Sequence, residues 1–172
     1  MDFRTGDIIA THDRGFLPRH IRYFMRIYAK KKGYKLDRYY NHTMIVLDQF
    51  PNYVGVGESI KEGFVTRGRK INSSSVIFRL KMPLTSSEKN RIKAKAVELI
   101  GTPYEFFNFV WWALLLLTGI DISPRGKKKV EKMFCFESTA TCLNAGREIF
   151  SDPSKVTTVD IELDDRFEKI KL

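Results

Sequence analysis

The residue best suited to nucleophilic chemistry in this chain is Cys135, one of only two cysteines. A thiol becomes a useful nucleophile when its thiolate is favoured, either by a histidine partner or by the N-terminus of a helix. A helical pattern begins at Phe134 or Cys135, so Cys135 is placed for the second effect. A lone cysteine also serves as a small buried hydrophobe. Cys142, inside the same pattern and flanked by Thr141 and Leu143, is assigned to the core. On one helix the two sulfurs stand two turns apart, roughly 10 Å, too far for a disulfide.

Three histidines are available as a base, and His42 is the one with an arguable partner. His42–Leu47 and Tyr53–Ile60 are apolar, β-branched runs separated by Asp48-Gln49-Phe50-Pro51-Asn52, the pattern of a β-hairpin. A turn centred near Phe50 pairs residues equidistant from it, which sets His42 opposite Glu58. Cross-strand neighbours share a face, so the carboxylate can accept a hydrogen bond from one imidazole nitrogen and leave the other as the base. The inference survives an even slip of register and fails on an odd one, which sends the two side chains to opposite faces. His12, in a polar loop, and His20, on a basic helix, have no acidic partner at a usable spacing. No CxxC or HxxxH spacing is present, so neither a metal nor a cofactor is expected.

These side chains need a scaffold. Gly6–Thr11 reads as a short buried strand, and Phe16–Lys31 as a basic amphipathic helix with Ile21, Phe24 and Ile27 on its apolar side. Residues 34–40 read as loop and Ser75–Leu80 as a strand. Thr85-Ser86-Ser87-Glu88 is a capping box opening a helix to about Ile100, stopped by Gly101 and kept from resuming by Pro103. Phe134 to Ala145 is a further helix, and Val156–Leu163 is expected to be the last strand. The pattern is α+β, with helices packed on a mostly antiparallel sheet, in a single domain over residues 1–172.

Composition narrows the class. At 172 residues, 43% apolar and 29% charged, the chain can bury a real core. The net charge of +10 draws acidic partners without choosing among nucleic acid, anionic lipid and wall polymer. Much of the excess lies on Arg19, Arg22, Arg26 and Lys30 and in Lys127–Lys129, which serve equally as a solvated helix face and loop or as a binding surface. No helix-turn-helix or zinc finger supports a nucleic-acid partner. The first residues, MDFRTGDIIATHDRG, lack a secretory signal pattern, and a cytoplasmic location, free or membrane-associated, is expected.

Taken together, these motifs resemble a known group. Ala96 to Tyr104, with its Gly101-Thr102-Pro103-Tyr104, followed by Phe134-Cys135, is similar to the helix, glycine, Pro-Tyr and cysteine-helix order of NlpC-type cell-wall peptidases. In those enzymes the cysteine precedes the histidine. Here His42 and Glu58 come first, as in the circularly permuted, YiiX-like branch of that papain-like superfamily. Gly6-Asp7-Ile8-Ile9, Asn41-His42-Thr43-Met44-Ile45-Val46, Gly57-Glu58-Ser59 and Cys135-Phe136-Glu137 look like that branch as well. The resemblance implies a permuted papain-like fold and a Cys135–His42–Glu58 triad. Tyr104 then lies close to the nucleophile, either orienting it and its oxyanion or simply packing after the proline turn. Two departures stand out. Phe136 occupies a position where serine is common, and an apolar insertion covers about 106–132. Its core, Phe106–Ile120, has 15 residues against the roughly 20 of a membrane span. It therefore reads as a buried helix, or else as a membrane-surface element or acyl-chain pocket.

The activity so implied is hydrolysis of amide bonds in a peptide or peptidoglycan-like substrate through a thioester. The alternative keeps the triad and changes the substrate to a lipid. Relatives of lecithin–retinol acyltransferase share the Gly-Asp strand, the early histidine and the later cysteine, and act at membrane surfaces. A non-catalytic basic module binding membrane or nucleic acid is the third reading. It leaves the joint presence of cysteine, histidine and glutamate without a purpose.

Overall fold

The computed structural model describes residues 2–12, 16–104, 118 and 133–172. The expected apolar insertion at 106–132 and Lys127–Lys129 fall outside the described residues, Thr118 excepted. The chain runs through β1 (Ile8–Thr11), α1 (Phe16–Lys31), β2 (His42–Gln49), β3 (Val54–Ile60), β4 (Gly63–Arg69), β5 (Val76–Leu80), α2 (Ser86–Glu98), α3 (Cys135–Gly146), a 3-10 turn at Pro153–Lys155, α4 (Thr158–Leu163) and β6 (Phe167–Lys171). The strands form one sheet in the order β4-β3-β2-β1-β5-β6, with every neighbouring pair antiparallel. The fold is α+β, as the sequence pattern implies.

Alternation along the strands sorts their side chains to two faces. Ile8, Ala10, Ile45, Phe64, Val76 and Phe78 point one way and meet Ile92 and Ala96 of α2 and Ala140 and Leu143 of α3. Ile9, Met44, Val46, Val54, Val56 and Ile77 form a separate cluster on the other face. Every one of these residues is buried, so the central strands are covered on both sides and their register is strongly specified. A third cluster joins Ile21, Met25 and Ala29 of α1 to Phe134, Cys135, Phe136 and Val159. Phe136 is thus spent on packing α1 against the start of α3.

Local chemistry sets the ends of the elements. Thr85 caps α2: its Oγ1 accepts from Glu88 N, and Glu88 Oε2 accepts from Thr85 N at 2.7 Å. Gly101 takes a left-handed φ of 84° just past the helix, the conformation glycine adopts without steric cost. Its N–H donates to Phe64 O, and Phe64 N donates to Thr102 O, docking the helix exit on the start of β4. Arg79 of β5 grips Asp7 with both Nε and a terminal nitrogen, at 2.9 and 2.7 Å, which fastens the entry of β1 to its neighbour.

Three elements depart from the sequence reading. Val156–Leu163 is not a strand: Thr158–Leu163 is helical. Its β-branched residues suggest extension, but Thr157 accepts from Val159 N and Asp160 N while Asp160 Oδ2 accepts from Thr157 N, a capping box that starts a helix. The last strand is instead β6, an edge strand alternating Phe167, Glu168, Lys169 and Ile170. The edge strand β4, rich in glycine and arginine, has no counterpart in the sequence reading. Charged edge strands resist pairing with other chains, and the same polarity hides them from a hydrophobic pattern.

Candidate active site

Cys135 is the first residue of α3, and its backbone is held from two elements. Thr43 Oγ1 of β2 donates to Cys135 O at 3.0 Å, and Ser138 Oγ donates to the same oxygen at 3.1 Å. Ser59 of β3 in turn donates to Ser138 Oγ at 2.9 Å. Thr43 and Ser59 lie on the sheet face that carries α3, so these bonds fix the helix start over the two strands that bear His42 and Glu58. Ser138 N takes Phe134 O as the first helical acceptor. The N–H groups of the helix's first turn have no partner within the helix, which favours negative charge at this end. Phe134 N donates to Glu137 Oε2 at 3.4 Å, a structural role for that buried acid.

The sequence places His42 opposite Glu58, and the structure corrects the register while keeping the outcome. Ile45 pairs with Gly57 and Val46 with Val56; continuing that ladder sets Met44, not His42, opposite Glu58. The turn falls later than expected, closed by Phe50 N donating to Tyr53 O, and a bulge between Val46 and Asp48 takes one residue back. The net slip is two residues. Being even, it leaves His42 and Glu58 diagonal on one face, where their side chains meet: Nε2 to Glu58 Oε2 is 2.7 Å. An ionised carboxylate only accepts, so Nε2 carries the proton of this bond and Nδ1 is left for another partner. The Cys135 side chain is the neighbour on the remaining side, close enough to the His42 ring to help raise its pKa.

Tyr104 joins the same group. Its backbone forms an isolated parallel bridge with Met133, and Met133 N donates to Pro103 O at 3.0 Å, so the chain re-enters beside the point where it left. The tyrosine ring meets Phe134 edge-on at 6.2 Å, and its hydroxyl lies near enough to Cys135 for the thiol to shift its pKa. All four residues singled out in the sequence are therefore brought together. Cys142 is buried two turns away in the core, and burial pushes its thiol up to about 12. His12 Nδ1 lies 3.3 Å from Tyr39 O, and His20 is exposed on α1; neither takes part.

Sequence reasoning misses two residues. Arg67 and Arg69 of β4 lie on the same face as Glu58, which pairs with Val65. Arg67 Nε donates to Glu58 Oε1 at 2.7 Å, and Arg69 Nε stands 3.2 Å from that oxygen. The carboxylate, fully buried, is thus saturated by one imidazole and two guanidinium groups. Burial alone would raise its pKa. The bonds from His42 and Arg67 and the nearby positive charges outweigh it and hold Glu58 at about 2. His42 has 12% of its side chain exposed, and desolvation works against its charging. Its bonds to Cys135 and Glu58 and their negative charges prevail and raise it to about 10. Burial raises the Tyr104 hydroxyl well above the tyrosine range, aided by the charge and hydrogen bond of Cys135. Tyr104 is thus a neutral donor beside the sulfur.

No family model matches the chain, and no curated protein does. Among solved structures, the crystal structure of metalloprotein yiiX from Escherichia coli O157:H7 is similar, with a TM-score of 0.51 over 97% of this chain and 96% of that chain. The identity is 15%, so the likeness is one of fold, and at that level the YiiX-like resemblance read from the motifs is shown. Among the described residues, no helix is long and apolar enough to cross a membrane.

Proposed function

We propose that the chain is a permuted papain-like cysteine hydrolase that cleaves amide bonds in a peptide or peptidoglycan-like substrate. The observation that carries this reading is the His42 ring, bonded through Nε2 to the buried carboxylate of Glu58 at 2.7 Å and lying near enough to Cys135 for the thiol to raise its pKa. In the proposed reaction Cys135 Sγ attacks the scissile carbonyl carbon, and the carbonyl oxygen becomes an oxyanion. The Cys135 backbone N–H at the start of α3 and the Tyr104 hydroxyl are the donors placed to receive it. As the intermediate collapses, the C–N bond breaks and His42 Nδ1 gives its proton to the departing amine, leaving a thioester. Water then adds to the thioester, His42 takes its proton, and the acid departs with the thiol restored. Glu58 keeps the imidazole in one orientation and stabilises its charge throughout.

The structurally similar yiiX protein is described as a metalloprotein. In this chain the described residues contain no group of three or more His, Cys, Asp or Glu side chains arranged to hold a metal ion. The nearest approach to one, around Glu58, has both carboxylate oxygens engaged and two guanidinium groups beside it, a poor setting for a cation. The proposed steps use the chain's own side chains, the Cys135 backbone N–H and a water molecule.

Incubating the protein with muropeptides and with unrelated peptides, followed by mass spectrometry, tests the reading. New amide-cleavage products that vanish in Cys135→Ala support it, and products unchanged in that variant overturn it. The same thioester could pass its acyl group to another acceptor, and the net charge of +10 favours an anionic lipid surface as the place for that chemistry. Co-sedimentation with phosphatidylglycerol vesicles at physiological salt separates this reading. An absence of binding there removes it.

A further inference from the structure

Arg67 and Arg69 do more than neutralise Glu58. Arg67 donates to the buried carboxylate through Nε, on Oε1, and Arg69 Nε is its nearest atom to that same oxygen, at 3.2 Å. Their terminal nitrogens make no hydrogen bond to any described residue, and the two side chains are 40% and 37% exposed. A guanidinium group offers five N–H donors in a planar fork that matches a carboxylate or phosphate in pairs. Here two such forks are anchored side by side from one strand, at alternate residues on one face, with most of their donors unspent.

The charge balance points the same way and does not depend on the state of the thiol. With Cys135 and His42 both neutral, Glu58 faces two arginines. With the sulfur ionised and the imidazole charged, two negative groups face three positive ones. Either way this cluster keeps one positive charge in excess beside the nucleophile. Access exists as well. Arg69 is also a wall of a cleft of about 540 Å³ at the β2–β3 turn, shared with Phe50, Tyr53, Lys70 and Asn72. That volume is in the range of small-ligand sites. Phe50 and Tyr53 stack at 4.6 Å and give the cleft an aromatic side, and Lys70 adds a further cation.

We propose that Arg67 and Arg69 form a subsite for a carboxylate or phosphate group of the substrate, whose adjoining portion occupies the cleft at the β2–β3 turn. The proposal rests on the hydrolase reading for the role of the bound group, and it selects anionic substrates within that class. The carboxylate of Glu58 holds the forks in place, and the substrate's anion supplies the acceptors they lack.

The first test compares alkylation of Cys135 by iodoacetate and by iodoacetamide, which differ in charge, using glutathione as the reference thiol. The expected iodoacetate-to-iodoacetamide ratio at Cys135 exceeds that of glutathione, drops about threefold in Arg67→Gln/Arg69→Gln, and is largely kept in Arg69→Lys. The comparison is made below about pH 6.5, with the His42 ring proton resonances confirming that the imidazole is charged in both proteins, so that its charge cancels. An equal ratio in the wild type and the double variant, with Cys135 reacting normally, overturns the subsite and leaves the thiol reading standing. A Cys135 inert to both reagents counts against the thiol reading instead, and the subsite is then decided on the wild-type protein by NMR. There the Arg67 and Arg69 Nε–H resonances are followed during titration with methyl phosphate and with acetate. Saturable shifts support the subsite, and the tighter of the two names the preferred group. Resonances unmoved by either ion at tens of millimolar overturn it.

Discussion

Replacing Glu58 by glutamine is the most informative single change, because it keeps shape and removes one charge. The native carboxyl is held near 2 against an ordinary value of 4.5, and that gap corresponds to about 3 kcal/mol of native-state stability. The sign is that of a depressed acid. The contribution is complete above the unfolded value of 4.5 and is lost as pH falls towards 2. Protonating Glu58 and replacing it by glutamine are nearly the same perturbation, since both leave His42, Arg67 and Arg69 facing a neutral group. Urea denaturation of wild type and Glu58→Gln across pH should therefore show a stability gap of about 3 kcal/mol near neutrality that closes as pH falls. The gap is protected from solvent screening because the side chain is fully buried. A gap that stays constant from neutrality down to about pH 3 refutes the argument, because it would mean that the carboxylate's charge contributes nothing and only its packing matters.

Three further outcomes follow from the same geometry. In Cys135→Ala the thiol and its charge are gone, so the His42 titration, followed by its ring proton resonances, should move down from about 10 towards the ordinary 6.5; an unmoved titration separates His42 from the thiol. Iodoacetamide at neutral pH should modify Cys135 well ahead of Cys142, whose thiol burial pushes up to about 12, and peptide mapping that finds equal labelling contradicts this. Thr43→Val removes one of two side-chain donors to Cys135 O, and because Ser138 still serves that oxygen the cost in urea should be about 1 kcal/mol. Adding Ser138→Ala should then cost more than the two single changes together, and strict additivity argues against a shared acceptor.

The candidate site is legible in the sequence to the extent that it depends on parity and on local caps. His42 and Glu58 are joined by a rule that needs only an even register, and the hairpin supplies one despite a later turn and an unforeseen bulge. The α2 capping box, the stop at Gly101 and the start of α3 at Cys135 are local signals, each readable within a few residues. What escapes depends on more distant neighbours. Gly63–Arg69 carries two glycines and two arginines and becomes a strand only because β3 offers it a ladder. Its arginines cannot be tied to Glu58 without that strand. At Val156–Leu163 the difficulty is the opposite one. A local cap at Thr157 and Asp160 is present in the sequence, and it outweighs the β-branched content that suggests extension.

That missing strand changes how the centre works. A histidine and a glutamate on adjacent strands would by themselves give a carboxylate whose charge burial opposes. Such an acid can give up its ionisation and lose its hold on the imidazole. Arg67 and Arg69 remove that option, since Oε1 is occupied by cations whatever the state of His42. Glu58 therefore stays an acceptor, Nε2 stays its donor, and Nδ1 is the nitrogen free to exchange protons with Cys135. The direction of the proposed chemistry is set by an edge strand that contributes no atom to the reacting bonds. Losing both arginines together should then cost His42 its high titration point as well as the stability of Glu58. Should the His42 titration in Arg67→Gln/Arg69→Gln match the wild type, the carboxylate does not need the arginines to stay ionised, and this account of the centre fails.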